Sequence, residues 1–200
     1  MAILAGADAL GLVGKMPSGP GPIADDLIAS ISRMIHPPIA SFLLTCEQTA
    51  EGIIEHVRRV NTNTVQIVDE LIKGSYEDIR KALPHLNIVQ VIHIRDETNI
   101  KEAKEISPRV DAILLDSGDP GAFTKTLGGT GKTHNWDISS EIVRTVKVPV
   151  FLAGGLNAGN VGEAIRKVRP FAVDLCSAVR TEGRLDGEKL SSFVAAVHAA

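Results

Sequence analysis

The chain has 200 residues, 44% hydrophobic and 22% charged, with a net charge of −3, a length and balance that fit one soluble domain (residues 1–200) with a sizeable core. Aromatic residues make up only 4% and the basic residues are scattered, so no nucleic-acid surface is expected. No apolar run approaches the roughly 20 residues that span a bilayer, and the N-terminus lacks the basic region of a secretory signal, so the expected setting is cytoplasmic, with no membrane partner.

Residues 7–13 read as a short buried strand, followed by a Gly/Pro-rich loop over 16–22. Leu27, Ile28, Ile31 and Met34 recur at helical spacing within 25–35. A strand is expected over 39–44, with Thr45 in position to cap a helix that runs to about residue 60. The pattern then repeats: strand 64–68, helix 75–83 closed by Pro84, strand 88–94, helix 98–106 stopped near Pro108, strand 110–115. A glycine-rich irregular stretch covers 116–135. Helix 137–146, strand 148–152, helix 158–168, strand 171–175 and helix 185–199 complete the chain. Alternating strands and helices, with strands that are mostly continuous apolar runs, predict a parallel sheet covered by helices. Seven strands are expected, in either an open doubly wound sheet or a barrel.

In both architectures the loops after the strands' C-terminal ends build the site. Two neighbouring units end in phosphate-binding chemistry. Ala153-Gly154-Gly155-Leu156-Asn157 ends one strand in a double glycine, and Asp174-Leu175-Cys176-Ser177-Ala178 ends the next in small residues. Glycines admit an oxyanion close to backbone amides; tight turns without a ligand are the plainer reading. The run Gly128-Gly129-Thr130-Gly131-Lys132-Thr133 is not a nucleotide-binding P-loop, because Thr126 occupies the place of its first glycine. It reads as a lid carrying one cation, or as a flexible linker. Asp116 follows Ile113-Leu114-Leu115 at a strand mouth, where a carboxylate serves as acid or base, or equally as a turn cap. His93 ends an apolar strand and reads first as a satisfied core histidine. The two cysteines, Cys46 and Cys176, belong to no cluster with metal-ligand spacing, so no metal site is expected.

Leu114-Leu115-Asp116, the Gly128–Thr133 run followed by Trp136, Ala153-Gly154-Gly155-Leu156-Asn157 and Arg169-Pro170-Phe171-Ala172-Val173-Asp174 together resemble the phosphoribosylanthranilate isomerase family of tryptophan biosynthesis. Residues 6–11 resemble that family's second strand. The resemblance implies an α/β fold of the (β/α)8 TIM-barrel type and no cofactor. It implies an Amadori rearrangement of an N-(5-phosphoribosyl) aromatic amine to a 1-deoxyribulose 5-phosphate derivative. Asp116 matches the general acid. Gly154, Gly155, Asn157, Asp174, Ser177, Ala178 and His93 match positions around the substrate and its phosphate, and Gly129, Thr130, Gly131 and Lys132 match the loop over the site. Three departures stand out. The family's first strand, which carries its cysteine base, and most of its first helix have no counterpart. Residues 18–22 lack the arginine expected to meet the aromatic acid. Val65-Gln66-Ile67-Val68-Asp69 lacks the family's histidine. Cys176, at the end of the last strand, is the candidate substitute base. The alternatives are a paralogue acting on another sugar phosphate and a non-catalytic phosphosugar-binding protein. Exposed sheet edges would make a homodimer a natural way to cover them.

Overall fold

The computed structural model describes residues 1–17, 21–118 and 133–200. Seven parallel strands form one sheet in chain order: β1 (Ala9–Val13), β2 (Ala40–Thr45), β3 (Thr64–Ile67), β4 (Asn87–His93), β5 (Ala112–Asp116), β6 (Val150–Leu152) and β7 (Ala172–Val173). Seven helices alternate with them: α1 (Asp25–Met34), α2 (Ala50–Val60), α3 (Tyr76–Ala82), α4 (Thr98–Ile106), α5 (Trp136–Thr145), α6 (Val161–Val168) and α7 (Gly187–His198). The fold is of the TIM-barrel type. Among the described residues β1 and β7 are the two edges of the sheet.

Side chains alternate across each strand, and each face has its own core. On β4 and β5, Ile88, Ile92, Ile113 and Leu115 point outward and are fully buried against the helices. Val89, Val91, Ala112 and Leu114 point inward and form a second, smaller cluster with Val68 and Ala153. Phe42 and Phe151 extend that inner cluster edge to face, 6.0 Å apart, and Phe171 also meets Phe151 edge to face, at 5.7 Å, while remaining 71% exposed. Each buried Ile or Leu contributes about 1.5–3 kcal/mol, so the more populous outer layer carries most of the stability and the inner face is the one shaped for something else.

Several expected boundaries shift for local reasons. Thr45 does not cap α2. It ends β2, and its Oγ1 is 2.9 Å from Nδ1 of His56 on α2. The cap is Thr49, whose hydroxyl oxygen accepts from the Gly52 amide. His56 also reaches Asp25 on α1 through Nε2 at 3.2 Å, so one imidazole ties β2, α1 and α2 together. The last helix begins at Gly187 rather than 185, because a 3-10 turn (Ser177–Val179) and a small antiparallel hairpin, β8 (Arg180–Thr181) with β9 (Arg184–Leu185), precede it. Asp186 starts α7 by accepting from the amides of Glu188 and Lys189. At the N-terminus a 3-10 turn (Ile3–Ala5) packs beside α7.

Candidate active site

Strand register builds the site. His93 of β4 pairs with Asp116 of β5. Leu115 pairs with Leu152, and Leu152 with Val173. The next residue along each strand continues the row, with the Ala153 amide donating to the Leu115 carbonyl at 2.8 Å and the Asp174 amide to the Leu152 carbonyl at 2.8 Å. Four adjacent strands therefore bring His93, Asp116, Ala153 and Asp174 into one inward-facing row at the C-terminal rim. Three of the four are titratable, and the fourth is small.

The two carboxylates of the row lie close enough to act on each other. Burial pushes the Asp174 carboxyl up to about 6, the Asp116 carboxylate adds to that rise, and the amide of Leu175 opposes it. Asp116 is half-buried and accepts a 2.7 Å hydrogen bond from the Ser117 amide through Oδ1. His93 is 7% exposed, and its Nε2 donates to the Val68 carbonyl at 2.9 Å. Its Nδ1 is buried without a hydrogen-bond partner. His93 is thus half-satisfied, in contrast to the satisfied core histidine expected from the sequence. It also borders a cavity of about 820 Å³ that runs over the ends of β3 and β4, past Arg95 and Asp69, and between α3 and α4. That cavity meets the titratable row only at His93.

The double glycine follows β6. Gly154 has φ +80° and Gly155 φ +65°. This left-handed region strains an L side chain. A Cβ on Gly154 would also lie 2.9 Å from both the amide nitrogen and the hydroxyl of Ser117. The turn therefore presses the β6 exit against the β5 exit, directly beyond Asp116. The Asn157 side chain holds the turn from below, accepting from the Gly159 amide at 2.8 Å, while Asn160 donates to the Gly155 carbonyl at 3.0 Å. Asn157 is thus engaged in the turn. Beyond β7, half-buried Cys176 precedes the 3-10 turn Ser177–Val179. Ala178 there does not have the positive φ that would demand glycine. Cys46, after β2, donates from Sγ to the Lys15 carbonyl at 3.2 Å. The residues Gly129, Thr130, Gly131 and Lys132 lie outside the described residues.

Two features were not singled out in the sequence. His134, entering α5, is hydrogen-bonded through Nε2 to the Ser139 hydroxyl at 2.7 Å, and burial pulls its pKa down to about 4. Nothing in its Thr-His-Asn surroundings signals this. The proximity of Asp174 to Asp116 carries no local signal either, because it comes from pairing between strands far apart in sequence.

The family model for N-(5'phosphoribosyl)anthranilate (PRA) isomerase matches residues 44–196. The N-(5'-phosphoribosyl)anthranilate isomerase of Methanocella arvoryzae is 34% identical over 181 residues, which cover 90% of this chain and 83% of its own length. The crystal structure of phosphoribosyl anthranilate isomerase from Thermotoga maritima matches with a TM-score of 0.81 at 28% identity, covering 100% of this chain and 92% of that one. A crystal structure of phosphoribosyl anthranilate isomerase in complex with reduced 1-(o-carboxyphenylamino)-1-deoxyribulose 5-phosphate matches with a TM-score of 0.78 at 24% identity, covering 100% of this chain and 91% of that one. A carboxylate row beside a double-glycine turn, on a sheet with these relatives along nearly its whole length, places the chain in the N-(5'-phosphoribosyl)anthranilate isomerase family.

Proposed function

We propose that this chain catalyses the Amadori rearrangement of N-(5'-phosphoribosyl)anthranilate to 1-(o-carboxyphenylamino)-1-deoxyribulose 5-phosphate. The observation that carries the reading is Asp116 at the rim of β5, against the Gly154–Gly155 turn, in a chain of this family. Asp116 is the general acid. It gives a proton to the ribose ring oxygen, the C1′–O4′ bond breaks, and the nitrogen lone pair forms an iminium with C1′. The amides of Gly154 and Gly155, with the turn at Ser177 and Ala178, receive the phosphate; glycines without side chains let an anion approach the backbone. No metal or organic cofactor is required by this chemistry.

The reaction is followed by loss of the aromatic amine substrate's fluorescence. Asp116→Asn is expected to lower kcat by about 10²–10⁴-fold, the usual worth of a positioned general acid, with KM changed little. No turnover by the unaltered chain would overturn the reading.

A further inference from the structure

We propose that Lys15 recognises the carboxylate of the aromatic acid at the open end of β1, where Met16, Phe42, Leu44 and Cys46 form a floor under the ring. The proposal rests on the isomerase reading above and names the recognition group for one part of its substrate.

Lys15 lies two residues past β1, and strand pairing decides which way it faces. The pairing with β2 continues beyond Val13, since the Gly14 amide donates to the Leu44 carbonyl at 3.0 Å. A Cβ on Gly14 would lie 2.7 Å from Cε1 of His56 on α2, so position 14 faces the helices. Leu12 faces them too, within the outer core. By strand alternation Gly11, Val13 and Lys15 face the interior. The Lys15 carbonyl accepts from Cys46 Sγ at 3.2 Å, which ties the exits of β1 and β2 together. The Lys15 side chain is exposed at the mouth.

The three parts of the substrate need different surroundings. In the reading above, the phosphate lies at the exits of β6 and β7 and the ribose ring oxygen at Asp116 on β5. The aromatic ring needs apolar surface that is still open. On β4 and β5 the inward side chains Val89, Val91 and Leu114 are already buried. On the β1–β2 side Met16, Phe42, Leu44 and Cys46 pack on the inner cluster and are only half-buried. The opposite way out of the titratable row leads past His93 into the cavity between α3 and α4. Four carboxylates line it, those of Asp69, Glu70, Glu102 and Glu105, against the two guanidinium groups of Arg95 and Arg109. That balance disfavours an aromatic carboxylate.

On the β1 side the balance is reversed. Glu47, after β2, turns back onto α2, with Oε2 2.8 Å from where a Cβ of Gly52 would be. Lys15 is left without an acidic partner among the described residues. Arg180, another cation near this end, spends Nη1 on the Gly183 carbonyl at 2.7 Å within the β8–β9 hairpin. An ammonium at the edge of an apolar floor gains strength toward a carboxylate once the ring has displaced the water between them.

The test is calorimetric titration, which needs no turnover. The two probes are reduced 1-(o-carboxyphenylamino)-1-deoxyribulose 5-phosphate and the same compound with a plain phenyl ring. The unaltered chain is expected to bind the first about 10–100-fold more tightly, the range of a charge-assisted hydrogen bond. Lys15→Met should remove that preference by weakening the first probe and leaving the second. Lys15→Arg should keep it. In turnover of phosphoribosylanthranilate the loss in Lys15→Met should fall on KM rather than kcat, as for binding shared by ground and transition states. Thermal melts establish that each variant is folded, and Lys15→Gln takes the place of Lys15→Met if that one is not. Equal losses for both probes in Lys15→Met, or an undiminished preference, would overturn the assignment while leaving the isomerase reading intact. So would the lack of any preference in the unaltered chain. A preference without turnover would sink the isomerase reading alone, and binding of neither probe would sink both.

Discussion

At neutral pH the Asp174 carboxyl is ionised in surroundings that favour its neutral form. Its pKa is about 6 in the folded chain against 3.8 for an ordinary aspartate. The unfolded chain therefore gives up this proton first as pH rises. The stability that neutral Asp174 allows is present below pH 3.8 and is lost as pH rises through 6. His134 has the opposite sign. Its folded pKa near 4 lies below 6.5, so its contribution is present above pH 6.5 and is lost as pH falls through 4. The two slopes oppose each other between pH 4 and 6. Asp174→Asn is expected to raise stability at pH 7.5 by about 1–2 kcal/mol, a shift worth 1.36 kcal/mol per unit discounted for partial solvation. In that variant stability should climb with pH from 4 to 6, where the unaltered chain stays nearly level. Urea melts across that range check both outcomes; a less stable Asp174→Asn at pH 7.5 would contradict the argument.

The strands and helices were legible because periodicity is a local property. Ile113 and Leu115 alternate with Ala112 and Leu114, and both sets are buried, so the sequence showed a continuous apolar run without saying which face was which. That distinction comes from pairing between strands far apart in sequence. It is also why Asp116 was found singly, while its relation to Asp174 was not. Thr45 reads as a cap because Thr favours that place, but a buried histidine supplies a better partner. The double glycine was legible as a turn, and the structure adds the reason for Gly154: a Cβ there would meet Ser117 at the exit of the neighbouring strand. Gly154→Ala is therefore expected to cost about 1–3 kcal/mol, combining a positive φ with a backbone clash. Because the strain falls on the exits of β5 and β6, affinity for the reduced product analogue should weaken as well. Calorimetric titration of that variant checks the link; unchanged affinity would mean that the turn and the ligand site are separate.

On the scale of the whole molecule, the sheet has two edges, with Ala9 and Gly11 of β1 exposed and Phe171 beside β7 largely so. The turns proposed to receive the phosphate follow β6 and β7, next to one of those edges. A ligand there joins the last two strands to the rest of the sheet, and ligand binding to the folded state alone adds RT ln(1 + [L]/Kd) to stability. At a hundredfold excess over Kd that is about 2.7 kcal/mol, or a rise in Tm of about 5–10 °C for a chain of this size. The reduced product analogue should produce that rise, and Gly154→Ala should blunt it. Thermal melts with and without the analogue provide the measurement.

Every strand near the rim has two faces with separate duties. Ile113 and Leu115 look outward into a fully enclosed layer, whereas Asp116, one step along, looks inward. The inward residues can therefore be exchanged without disturbing the layer that makes the molecule fold. The layer that makes the molecule fold and the residues that face its interior can change independently of each other.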